Sequence, residues 1–90
     1  MSTQDAIISA KKFVELVQNT YPVEKAYLFG SHAKNIASEA SDIDICIVSP
    51  KFGHNYLQEE MSLIDLAMKI NPRLTPIPFN SNDISDHWNL

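Results

Sequence analysis

The chain has 90 residues, 44% of them hydrophobic, a share that fits a folded domain and is too high for disorder. Lys and Arg number 7 against 11 Asp and Glu, so the net charge is −4, which argues against a general nucleic-acid binder with a broad basic face. A single cysteine, Cys46, excludes an internal disulfide framework. No apolar run approaches the ~20 residues of a membrane span, and Met1 to Asp5 has no basic stretch leading into an apolar one. These features predict one domain over 1–90, with room for a single core, in the cytoplasm.

The elements alternate between helical and strand periods. Ala6, Ala10, Phe13, Val17 and Tyr21 recur every three or four residues, with Ile7 and Val14 widening the stripe. This predicts an amphipathic helix, capped by Thr3 and ending before Pro22. Ala26-Tyr27-Leu28-Phe29 is a short apolar run that stops at Gly30-Ser31, the pattern of a strand and a tight turn. His32 to Ile36 is predicted as a short helix and Ala37 to Ser41 as a loop. The run Asp42-Ile43-Asp44-Ile45-Cys46-Ile47-Val48 predicts a second strand, with Ile43, Ile45 and Ile47 toward the core and Asp42, Asp44, Cys46 and Val48 on the other face. Pro50 and Gly53 break the chain. Tyr56 to Ile70 is predicted as a second long helix with Leu57, Met61, Ile64 and Met68 on one face. Leu74 to Phe79 is extended. Its Pro76 and Pro78 cannot donate ladder hydrogen bonds, so it is predicted at a sheet edge or as an irregular strand. Asn82 would cap a last turn through Trp88. This order predicts an α/β class, a sheet with helices packed on it.

Chemistry is carried by the Gly30-Ser31 turn and by Asp42-Ile43-Asp44. Two aspartates two positions apart on a strand share a face, with Cα atoms ~6.6 Å apart. They repel unless a cation lies between them or water screens them. Two acids on a strand anchored by isoleucines suit Mg²⁺, which is typically held by one or two carboxylates plus substrate phosphates. Glycine lets backbone approach a phosphate closely. A helix starting at Ser31 would aim free N–H groups at the same anion. A triphosphate held at Gly30 and Ser31, with its metal on Asp42 and Asp44, is set up for phosphoryl-type transfer. At ordinary residue frequencies such a match arises by chance in roughly one chain of this length in a thousand.

Tyr27-Leu28-Phe29-Gly30-Ser31-His32-Ala33-Lys34 followed by Ser41-Asp42-Ile43-Asp44-Ile45 resembles the minimal nucleotidyltransferases (MNT proteins) of the polymerase-β-like superfamily. The resemblance runs from Lys25 through Phe79. It implies a small mixed β-sheet flanked by helices, the palm-like fold of that superfamily. It also implies that Gly30 and Ser31 bind the nucleoside triphosphate and that Asp42 and Asp44 are metal ligands. Many members pair with a HEPN-domain protein as toxin and antitoxin, and some restrain that partner by adding AMP to it. Lys34 is a candidate phosphate contact as a point charge.

The family usually carries a third carboxylate on the strand after the long helix. Here that stretch reads Leu74-Thr75-Pro76-Ile77-Pro78-Phe79, with Thr75 where the acid would stand. Threonine is a neutral, weak ligand and no general base near neutral pH. Asn35 replaces a frequent glycine, and the chain stops at Leu90 where relatives often continue into another helix. Asp83 is the one acid near the Thr75 strand that could replace the missing carboxylate. His32 and Arg73 are secondary candidates for the site, His54 and His87 read as surface residues, and Cys46 reads as a small buried hydrophobe.

Two functions fit. One is a Mg²⁺-dependent nucleotidyltransferase that moves a nucleotide, AMP from ATP, onto a partner protein, since the chain has no room for its own acceptor-binding domain. The alternative is a catalytically weakened MNT fold that neutralises a HEPN-like partner by binding it.

Overall fold

The computed structural model of the chain describes residues 3–29 and 42–83. Helix α1 spans Thr3–Gln18 and is followed by strand β1, Lys25–Phe29. Strand β2, Ile43–Ser49, leads through helix α2, Tyr56–Met68, to strand β3, Leu74–Asn80, and a 3₁₀ turn at Ser81–Asp83 closes the described chain. The sheet has the order β1-β2-β3. β1 runs antiparallel and β3 parallel to the central β2, so the sheet is mixed, and β2–α2–β3 is a βαβ unit. The predicted short helix at His32–Ile36 and the stretch up to Trp88 lie outside the described residues.

Both helices pack on one face of the sheet. The core joins Ala6, Ala10, Phe13 and Val17 of α1 to Ile43, Ile45 and Ile47 of β2, Leu63 and Ala67 of α2, and Leu74 and Phe52. The row Ala6, Ala10, Phe13 and Val17 of the predicted α1 stripe is therefore the buried one, whereas Val14 is half-buried and Ile7 is exposed. α1 itself ends at Gln18, three residues before Tyr21. Tyr21 still reaches the core: its ring lies 4.8 Å from that of Phe52, and its hydroxyl donates to Ser62 Oγ at 3.0 Å. A bond from Asn71 Nδ2 to Ser9 Oγ ties the other end of α1 to the far side of α2.

β3 is the edge strand that its prolines require. Pro76 and Pro78 are buried on the helix side, in register with Ile45 and Ile47. They alternate with Thr75, Ile77 and Phe79, whose amides are left to serve the ladder. Asn80 ends the strand and ties it to the chain leaving β2. Its side-chain amide donates to Phe52 O at 2.6 Å, and its Oδ1 accepts from Asn82 N at 2.8 Å. Asn80 thus caps the 3₁₀ turn at Ser81–Asp83; the turn through Trp88 that Asn82 was expected to cap lies outside the described residues. Gly53 stands beside it at φ +98°, and a Cβ there would meet Asn80 Cβ at 3.0 Å, so the loop requires glycine on both counts.

The orientation of α2 is set at its first turn. Asn55 caps the helix by accepting from Gln58 N. The Glu59 carboxylate reaches back to accept from the backbone N–H groups of Gly53, His54 and Asn55 at 2.9, 3.1 and 3.2 Å. These contacts, with Tyr21–Ser62, turn Leu63 and Ala67 inward and leave the predicted stripe of Leu57, Met61, Ile64 and Met68 facing solvent. The four residues share a face as the spacing predicts, but a second apolar row, Leu63, Leu66, Ala67 and Ile70, is the one that joins the core.

Partial burial raises the pKa of Glu59, but the three N–H bonds and the nearby His54 charge outweigh that and hold it below its usual value of 4.5. A depressed folded-state pKa stabilises the fold above pH 4.5, and the contribution is lost as the pH falls through the folded value. Glu59→Gln is expected to cost about 1 kcal/mol at pH 7, typical of losing a helix cap. It is also expected to flatten the acid limb of stability against pH, read by urea denaturation between neutral and acid pH.

Candidate active site

β2 alternates between two environments. Ile43, Ile45 and Ile47 are fully buried under the helices, so Asp44, Cys46 and Val48 project to the opposite face. In-register neighbours share a face. Phe29, Tyr27 and Lys25 of β1 therefore accompany Asp44, Cys46 and Val48 on one side, and Thr75, Ile77 and Phe79 of β3 accompany them on the other. Among the described residues no helix lies on this face. Its middle is closed: Cys46 and Val48 are buried, flanked in register by Tyr27 with Ile77 and by Lys25 with Phe79. Its open end carries Asp44, half-buried, with exposed Thr75 and Phe29 on either side.

Asp42 is exposed and sits one residue ahead of β2. The two-residue spacing carries it toward the side of Asp44, past the end of the paired strand. The backbone at this end is well held: Ile43 N donates to Arg73 O at 2.8 Å, and Leu74 N donates to Asn71 O at 3.1 Å. The strand that leads into Gly30 ends at Phe29, level with Asp44. Gly30, Ser31, His32 and Lys34, the predicted phosphate side of the site, lie outside the described residues.

Thr75 is the in-register partner of Asp44 on the parallel strand β3, one strand spacing away, ~4.8 Å. The position that carries the third acid in the resembled family thus adjoins Asp44 on the same face, and here it holds an uncharged hydroxyl. Asp83 does not replace it. It follows the far end of β3, whose last residue, Asn80, is five residues or ~16 Å along the strand from Thr75. Among the described residues no group of three or more His, Cys, Asp or Glu side chains gathers into a metal site. His54 belongs to the loop that Glu59 organises, and His87 lies outside the described residues.

Among the described residues, the donors at this end of the face are the oxygens of Asp42, Asp44 and Thr75. Cys46 is two residues deeper, and burial pushes its thiol up to about 11. It stays protonated at neutral pH, a packing residue rather than a nucleophile or soft ligand. Sequence reasoning missed Phe29 and Tyr27 as the flanking wall of the Asp44 face; the alternation of the first strand carried that signal once its antiparallel register was known. A largely apolar cleft of about 480 Å³ lies between α1 and β1, lined by Ile7, Lys11, Val14 and Leu28 among others. It opens on the helix side of the sheet and is not part of this site.

Comparison with known proteins agrees with this geometry. The profile of the nucleotidyltransferase domain family matches residues 10–80. A solved structure from Sulfolobus solfataricus, classed as a candidate nucleotidyltransferase, superposes with a TM-score of 0.73 at 26% identity, covering 90% of this chain and 72% of that one. No curated protein matches the chain closely enough to count as a relative. The small mixed sheet with its helices on one face is the nucleotidyltransferase fold, and the chain belongs to the nucleotidyltransferase domain family. No described helix is long and apolar enough to cross a membrane.

Asp44 is half-buried and lies on the face away from the core, so its charge should be dispensable for folding. Asp44→Asn preserves shape and removes one of two neighbouring like charges. It is expected to leave the free energy of unfolding unchanged within about 0.5 kcal/mol, or to raise it, as measured by urea denaturation.

Proposed function

We propose that this chain is a Mg²⁺-dependent nucleotidyltransferase that moves AMP from ATP onto a partner protein, and that this partner is a HEPN-domain protein, with the pair acting in the cytoplasm as toxin and antitoxin. The observation that carries the reading is Asp44 on the open end of the sheet face, beside the strand that leads into Gly30-Ser31, in a chain of the nucleotidyltransferase family. The donor set fits the ion. Asp44 and Asp42 offer hard carboxylate oxygens, and Mg²⁺ favours one or two carboxylates completed by water and phosphate oxygens.

Asp42 and Asp44 would hold the metal, which when bound neutralises triphosphate charge and polarises the phosphorus under attack. The remaining work is positioning. β2 is the central strand, with its isoleucines locked in the core, so the carboxylate of Asp44 is held without a large entropy cost on binding. Gly30, Ser31 and Lys34 would take the phosphates through backbone N–H groups, a hydroxyl and a point charge. An acceptor hydroxyl must lose a proton as it attacks, and Thr75 cannot take it near neutral pH. With Asp42 and Asp44 engaged by the metal, the base would be another group, such as one brought by the acceptor.

Thr75 beside Asp44 favours a second reading, a weakened member of the fold that neutralises its partner by binding it. Incubation with labelled ATP, Mg²⁺ and the partner separates the two. Label on the partner supports transfer, whereas inhibition of the partner without label supports binding alone. Asp44→Asn is expected to abolish Mg²⁺-dependent ATP binding in calorimetry, and binding equal to the parent's would remove Asp44 from the ligand set.

If the neutral Thr75 limits the rate, Thr75→Glu completes a three-carboxylate site next to Asp44. It is expected to raise label transfer about tenfold, which corresponds to ~1.4 kcal/mol of barrier. A parent that already transfers rapidly, with no gain in the variant, would show that the missing acid comes from elsewhere.

A further inference from the structure

Leu57, Met61, Ile64 and Met68 of α2 are 66, 58, 41 and 60% exposed, although they form a continuous row. Their spacing of four, three and four is the seam of a coiled coil. Over eleven residues the row is ~16 Å long, and a contiguous apolar patch on a folded domain marks an interaction surface. α2 has a separate buried row, so this one is not needed for the core.

The flanks say what fits. On a helical wheel Glu60 borders the row on one side and Asp65 on the other, with Gln58 beside Asp65. Lys69 lies further round. Both borders are therefore acidic, and Glu60 accepts a hydrogen bond from Tyr56 at 3.0 Å. A second copy of this chain would bring Glu60 and Asp65 against Glu60 and Asp65 in either orientation, like charge on like charge. A different helix, apolar along its seam and lined with Lys or Arg, meets attraction on both borders.

We propose that the outer face of α2 docks an amphipathic helix of another protein, with Leu, Ile or Met along its seam and basic residues on its borders. The surface does not rest on the nucleotidyl-transfer reading. It lies on the outside of the helix layer, whereas Asp44 lies on the far side of the sheet, so a partner held there leaves the Asp44 face open.

The test uses a helical peptide of about three heptads with Leu at the seam and Lys at the borders, and a twin with Glu at the borders. Fluorescence anisotropy with the intact protein is expected to show the Lys peptide binding at least tenfold tighter than its twin, with a gap that narrows at high salt. Met61→Ser with Ile64→Ser is expected to lose binding of both, with an unchanged melting curve because both side chains are exposed. Glu60→Lys with Asp65→Lys keeps the seam and is expected to invert the preference. Equal affinity for the two peptides, no binding of either, or no inversion in the charge-reversed variant would each overturn the proposal. Sedimentation velocity is expected to show no self-association; a dimer that Met61→Ser dissolves would assign the face to a second copy instead.

Discussion

Burial of Ile43, Ile45 and Ile47 between the two helices and the sheet decides where Asp44 points. Side chains alternate along a strand with a period of two, so a slip of one residue would carry three isoleucines to the opposite face and put Asp44 under α1 and α2. An unpaired carboxylate in that core costs several kcal/mol. The register is therefore fixed by the isoleucines, and the carboxylate is aimed as a consequence. Because β2 is central, ladder bonds on both sides hold the backbone that carries it.

The neighbours of Asp44 follow from the same lock. Antiparallel pairing brings Phe29, the last residue of β1, beside it. Parallel pairing brings Thr75 to its other side. β3 can occupy this place only at an edge, because Pro76 and Pro78 leave its outer side without donors. Asn80 then fixes the far end of β3 to Phe52, and Gly53 permits that approach because it has no side chain.

α2 shows how an amphipathic pattern underdetermines a face. The helix has two apolar rows, and hydrophobicity alone does not rank them. Polar contacts at its first turn and its middle hold the observed choice. Glu59 gathers three backbone N–H groups of the preceding loop, and Ser62 receives the Tyr21 hydroxyl. Those bonds set the rotation of the helix about its axis. The row they turn inward contains Ala67, whose small side chain suits close packing on the sheet, and the bulkier row is left outside. A helix that serves both a core and a surface needs such a device, since the hydrophobic effect has no direction of its own.

The sequence by itself determined the order of the described elements, the core face of α1 and of β2, and the edge position of β3, and it pointed to the nucleotidyltransferase family. Each of these is a short-range matter: period 3.6 or period 2, the missing proline donor, and two acids spaced to share a strand face. Sequence could not show that Thr75 lies against Asp44, that Phe29 closes the other side, or that Asp83 is at the wrong end of β3. The two pairings join residues 15 and 31 positions apart, and register across strands, which also puts Asp83 at the other end, is set by the whole core rather than by any local run. Nor could it choose between the two rows of α2, because the bonds that rotate the helix come from Tyr21 and the loop at Gly53–Asn55, outside its own period.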